Sequence, residues 1–212
     1  MITFHIVTLF PDAFRSYFGA SIIARAIKEK KISVKYYNPR DFTHDKWARV
    51  DRRPYGGGPG MVLEPESVLK AALKAKGKTK AEIYFFDRSG EQFTNEVART
   101  LVKKKTKNII LICGHYEGID SRVQKILKAK KISVGPYTLT GGELPAMLVI
   151  DAVSRQIPGV LGKFESVEEE RVSSSEVYTR PEVFKWKGKN HRVPKVLLSG
   201  NHAEIDKWKR GE

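Results

Sequence analysis

The chain has 212 residues, 41% of them apolar, with 39 Lys and Arg against 24 Asp and Glu, for a formal charge of +15. No run of eighteen apolar residues occurs, and the start, "MITFHIVTLFPDAF", carries neither a basic leader nor a small-residue cleavage site, so a membrane span and a secretory signal are both excluded and the cytoplasm is expected. One cysteine, Cys113 in the apolar run "NIILICG", excludes a disulfide framework and reads as a buried strand thiol.

In chain order, β-branched and aromatic residues predict strands at 2–10, 32–38, 82–86, 108–113 and 132–134. Helical spacing lies between them. "AFRSYFGASIIARAIKEK" puts Phe14, Phe18, Ile22, Ile23, Ala26 and Ile27 on one stripe, and "NEVARTLVKKK" does the same with Val97, Leu101 and Val102. "GIDSRVQKILKAKK" begins at Asp120 or Ser121, both credible N-caps, and "LPAMLVIDAVSRQ" places a proline near its first turn. Strands alternating with helices predict an α/β fold with a mainly parallel sheet, whose ligands sit beyond the carboxyl ends of the strands.

Composition shifts near residue 158, where "IPGVLGKFESVEEERVSSSEVYTRPE" mixes Pro, Gly, Ser and a short acidic run. The expected organisation is a larger α/β domain over 1–160, a linker over 161–177 and a small helical C-terminal domain over 178–212. Residues 1–162 hold 28 basic and 15 acidic side chains, and 163–212 hold 11 and 9, so the positive excess belongs to the first part. Runs such as "KEKK", "KKKTK" and "KAKK" suit helix C-termini one by one; their sum argues for a polyanionic partner.

Common nucleotide fingerprints are missing: "YGGGPGM" lacks the dinucleotide spacing, no P-loop lysine is present, and neither H-x-x-x-H nor C-x-x-C occurs. Three glycine-bearing loops take their place, "DRSGEQF", "CGHYEGID" and "VGPYTLTGGELP", each following a predicted strand. Glycine allows main chain to come close to a ligand, so together these loops can wall one cleft.

The blocks "NPRDFTHD", "VDRRPYGGGPGM", "CGHYEGID", "SVGPYTLTGGELPAM", "DAVSRQIPGVLG", "YTRPEV" and "VLLSGNHAEI" follow one another in an order that resembles the bacterial tRNA (guanine-37-N1)-methyltransferases, the TrmD family of the SPOUT class, over essentially the whole chain. The resemblance implies a knotted α/β methyltransferase domain that binds S-adenosylmethionine. Its cofactor-facing positions match Ser133, Val134, Gly135, Tyr137, Thr138, Leu139, Gly141, Gly142 and Pro145 in the knot loop. Gly114, Tyr116, Glu117 and Gly118 match a second loop, and Phe85 and Phe86 the strand end leading to a third.

Methylation at guanine N1 needs a base for the N1 proton and a cation for charge developing on O6. Arg155 matches the family's arginine for O6, and Glu170 in "SVEEERV" stands where the family has its aspartate base, with Glu168 and Glu169 as neighbouring candidates. The resemblance further implies Mg²⁺ assistance at Glu117, tRNA contacts from Asp51, His44, Arg52 and Tyr55, an anticodon-stem grip by the C-terminal domain, and a homodimer whose active sites lie at the interface. His115 replaces the family's usual arginine and "DRSG" its usual "SPQG"; the chain also stops soon after "KWKRG", short of the family's final helices. Two other readings are a SPOUT enzyme for another RNA nucleotide and an RNA-binding relative without catalysis.

Overall fold

The computed structural model describes residues 1–104, 106–161 and 176–211. Two compact units are present, Met1–Leu161 and Gly162–Glu212. In the first, five strands form one parallel sheet: β1 (Ile2–Val7), β2 (Ile32–Tyr37), β5 (Glu82–Gln92), β6 (Asn108–Ile112) and β7 (Lys130–Ser133), in the order β2-β1-β6-β5-β7. Two short strands, β3 (Asp51–Arg52) and β4 (Val62–Leu63), pair as a separate antiparallel ribbon.

Side-chain alternation explains why the sheet is buried on both faces. Phe4, Ile6, Ile109 and Leu111 enter one core, where they meet α2 (Ser21–Lys28), α4 (Asn95–Lys103) and α6 (Glu143–Ser154). Val7, Ile110 and Ile112 enter the other, against α3 (Pro65–Lys76) and α5 (Ser121–Leu127). The α/β class with a mainly parallel sheet, read from the sequence, is the observed one. Among the described residues, no helix is long and apolar enough to cross a membrane.

Several local expectations change. The stripe at 13–30 is interrupted: a 3-10 turn at Pro11–Phe14 and the short α1 (Arg15–Phe18) precede a break at Gly19 and Ala20, after which Ser21 opens α2. Phe14, Phe18, Ile23 and Ala26 still share one core, so packing survives the break. Asp120 is the N-cap of α5, accepting from the Arg122 amide. "DRSG" is a bulge inside β5, since Phe86 and Glu91 both pair with Ile132 and the strand resumes beyond. Helix α3 was not anticipated.

The path after β7 decides where the site forms. From the sheet edge beside β5, residues 134–142 run back to the end of β6, where the Gly142 amide donates to the Gly114 carbonyl at 2.8 Å and Gly141 bridges His115. Helix α6 then enters the core. A Cβ on Gly142 would lie 2.5 Å from Cys113 Cα, so this re-entry requires glycine.

In the second unit, the antiparallel hairpin β8 (Val183–Trp186) and β9 (Lys189–Arg192) is followed by α7 (Lys195–Leu198) and α8 (His202–Arg210). The sequence led us to expect helices alone there. Lys187 and Gly188 turn the hairpin with φ of 47° and 77°, the left-handed pair of a two-residue loop.

Candidate active site

A pocket of about 600 Å³ opens at the carboxyl ends of β5, β6 and β7. Its wall contains every cofactor-facing position marked in the sequence, from Phe85 and Phe86 through Gly114, Tyr116, Glu117 and Gly118 to Ser133, Val134, Gly135, Tyr137, Thr138, Leu139, Gly141, Gly142 and Pro145. Both faces of the knot loop are held from within. The Ser133 hydroxyl donates to the Gly135 carbonyl at 3.0 Å and accepts from the Gly135 amide, while Tyr137 Oη donates to the Val134 carbonyl at 2.9 Å.

Beneath the loops lies a carboxylate whose role the sequence did not disclose. Glu143, 9% exposed at the start of α6, accepts a 2.7 Å hydrogen bond from the Thr8 hydroxyl, 135 residues away at the end of β1. Its other oxygen is 4.0 Å from His115 Nδ1, a buried atom with no hydrogen-bond partner, and the Phe10 ring packs at a tilt against His115, centroids 4.8 Å apart. Burial, with the Glu143 charge nearby, pushes the Cys113 thiol well above its ordinary range, so that thiol stays protonated and inert.

Charges ring the other side. Asp87 in the β5 bulge accepts from Lys131 Nζ at 2.7 Å and from the Ser89 amide and hydroxyl, which hold its carboxyl down to about 2. Lys125 and Arg88 complete that part of the wall.

The expected tRNA contacts Asp51, His44, Arg52 and Tyr55 lie outside the pocket wall. The β3–β4 ribbon is fastened to the 113–120 loop through Leu63 to the Gly118 carbonyl, Asp120 to the Leu63 carbonyl, and Glu117 to the Met61 carbonyl, each at 3.0 Å. Asp51 on β3 pairs with Leu63, placing it one residue pair from that loop. Arg52 Nη2 is 3.7 Å from Asp45 and 3.9 Å from Glu64, His44 Nε2 is 3.0 Å from Lys70 Nζ, and Tyr55 is fully exposed.

Arg155 is separated from the pocket. It caps the C-terminus of α6, thirteen residues beyond the N-cap Gly142, so the helix carries it about 20 Å along its axis at 1.5 Å per residue. Glu168, Glu169 and Glu170 lie outside the described residues. No group of three or more His, Cys, Asp or Glu positioned to hold a metal exists among the described residues.

Apolar side chains and glycine-lined main chain on one side, with charged groups on the other, suit a small organic ligand with a flat heterocycle and a polar end, such as a nucleoside-type methyl donor. A family model described as "tRNA (Guanine-1)-methyltransferase TrmD" matches residues 2–212. Proteins named "tRNA (guanine-N(1)-)-methyltransferase" are similar along nearly the whole chain. One from Dehalococcoides mccartyi strain CBDB1 is 48% identical over 213 residues, 98% of this chain and 84% of that protein. Another from Caldanaerobacter subterraneus subsp. tengcongensis is 48% identical over 211 residues, 98% and 85%. A third, from Clostridioides difficile strain 630, is 43% identical over 216 residues, 99% and 91%. With the fold, the re-entrant glycine loop and matches of this extent, the chain belongs to the tRNA (guanine-1)-methyltransferase TrmD family, whose members are SPOUT methyltransferases.

Proposed function

We propose that this chain methylates N1 of guanine 37 in tRNA, 3′ to the anticodon, with S-adenosylmethionine as the donor. The observation that carries the reading is the pocket, whose wall brings the three glycine-bearing loops together, with Gly141 and Gly142 at positions where a Cβ would collide with Glu143, His115 and Cys113. When bound, S-adenosylmethionine supplies an electrophilic methyl group. The chain's own residues handle the rest. Phe85, Phe86, Leu139 and Pro145 offer an apolar slot, and Tyr116 and the knot loop cover it. Glu117 is the carboxylate that would hold a water-clad Mg²⁺, an ion needing few protein ligands.

At the nucleobase, Glu170 takes the N1 proton and Arg155 neutralises charge gathering on O6. Because α6 carries Arg155 away from its own pocket, the arrangement is supported best by a homodimer in which Arg155 and Glu170 serve the second subunit's pocket. Leu144 and Leu148, one turn apart on α6, are 57% and 40% exposed, and Ile22 on α2 is 39% exposed, an apolar surface suited to a second copy. Asp51 and Arg52, on the ribbon fastened to the 113–120 loop, are assigned to the tRNA together with His44 and Tyr55.

Single-turnover transfer to tRNA transcripts carrying guanine or adenine at position 37 tests the proposal. Methyl appearing at N1 of G37, and none with A37, is expected. Methyl on another nucleotide would overturn the target, and tight tRNA binding with no transfer would overturn the enzyme reading.

A further inference from the structure

The hairpin in the second unit has two unlike faces. Cross-strand pairing puts Phe184 opposite His191 and Trp186 opposite Lys189, so these four side chains share one face. Phe184 and Trp186 stack at 6.2 Å with their planes 14° apart, and His191 lies 6.5 Å from Phe184. Both large rings remain more than half exposed, at 53% and 58%. Lys185 and Arg192 occupy the other face, and Lys187 sits in the turn. Among the described residues, none of Lys185, Lys187, Lys189 and Arg192 forms an ion pair.

Two nearly parallel exposed rings, with Lys189 on their own face and Lys185, Lys187 and Arg192 elsewhere on the same hairpin, suit a partner that offers flat π-faces and negative charge together. An unpaired stretch of RNA does so: bases stack on the rings while phosphates meet the lysines. A protein partner would need an apolar patch bearing acids.

We propose that the Phe184–Trp186–His191 face is a stacking platform for unpaired nucleobases of the RNA substrate, with Lys185, Lys187, Lys189 and Arg192 holding the adjoining backbone. The inference rests on the tRNA reading above and extends it to a second, base-stacking contact outside the methyl-transfer pocket.

The test uses the full chain, a tRNA transcript with G37 and a single-stranded oligoadenylate. Replacing the rings by leucine (Phe184→Leu with Trp186→Leu) keeps apolar bulk and removes the π-faces. Affinity for both RNAs is expected to fall roughly ten- to a hundredfold, with the salt dependence unchanged. Replacing two lysines (Lys185→Gln with Lys189→Gln) is expected to flatten the plot of log affinity against log salt by about 1.4, two single-strand phosphate contacts. Trp186→Phe, which keeps a ring, should retain binding. Equal RNA affinity in the leucine variant, with G37 still methylated, would overturn the platform and leave the activity standing. A leucine variant that binds RNA normally but changes subunit association would assign the face to protein contact and overturn it too. If the unaltered chain binds neither RNA, the platform and the tRNA reading fall together. Ring-dependent binding without methylation of G37 would keep the platform and remove the activity.

Discussion

Gly142 is the residue on which the pocket turns. A methyl group there meets Cys113 Cα at 2.5 Å, a backbone atom that cannot swing aside. Gly142→Ala is expected to lower stability by roughly 1–3 kcal/mol through overpacking and to abolish binding of S-adenosylmethionine, read by urea denaturation and by calorimetric titration. Glu143 answers to Thr8 in a different way. Thr8→Val removes the donor from a buried carboxylate, at about 1–3 kcal/mol, whereas Thr8→Ser keeps the hydroxyl and most of the stability; equal losses would show that the bond contributes nothing. At the pocket rim, Lys131 and Ser89 hold Asp87 at about 2 in the folded chain. A carboxyl depressed by folding stabilises the native state above its unfolded value and loses that contribution as pH falls through the folded one. The acid limb of unfolding between about pH 4 and pH 2 should therefore be shallower in Asp87→Asn than in the parent.

Helix α6 and the loop before it join the two chemical ends of the molecule. Arg155→Ala is expected to cut single-turnover methyl transfer at least about a hundredfold, the scale of a lost charge-stabilising donor, while leaving cofactor affinity unchanged. Loss of cofactor binding in that variant would place the arginine in the pocket instead. The strands of the sheet were legible mainly through runs of β-branched and aromatic residues, clearest in β1 and β6, which are buried along almost their whole length. Helix α3 was not. Its core residues Val68, Ala71, Ala72 and Ala75 are mostly alanine, so its apolar stripe is faint in "PESVLKAALKAK" although alanine is the strongest helix former. The β8–β9 hairpin escaped for a related reason, since Lys-Gly at its turn lacks the Asn or Asp that usually announces a left-handed pair. In the pocket, the glycine loops were readable as motifs, but the Thr8–Glu143 contact joins residues that no local pattern connects. "DRSG" was taken for a loop because glycine and charge mark turns; pairing of Gln92 with Ser133 carries the strand past it.

At the scale of the whole molecule, the pocket belongs to the first unit, and the proposed base, Glu170, falls in the stretch between the described parts of the chain. In the proposed homodimer, one chain would hold the methyl donor and its partner would bring Arg155 and Glu170 to the guanine. Mixing two inactive variants tests that division directly. Gly142→Ala lacks a working pocket, and Glu170→Gln lacks the base but keeps its pocket. After unfolding and refolding them together in equal amounts, half the dimers are mixed, and each mixed dimer has one intact pocket facing one intact base, so about a quarter of the parent's transfer to G37 transcripts should return. Activity no higher than that of the two variants measured apart would contradict a site shared between subunits.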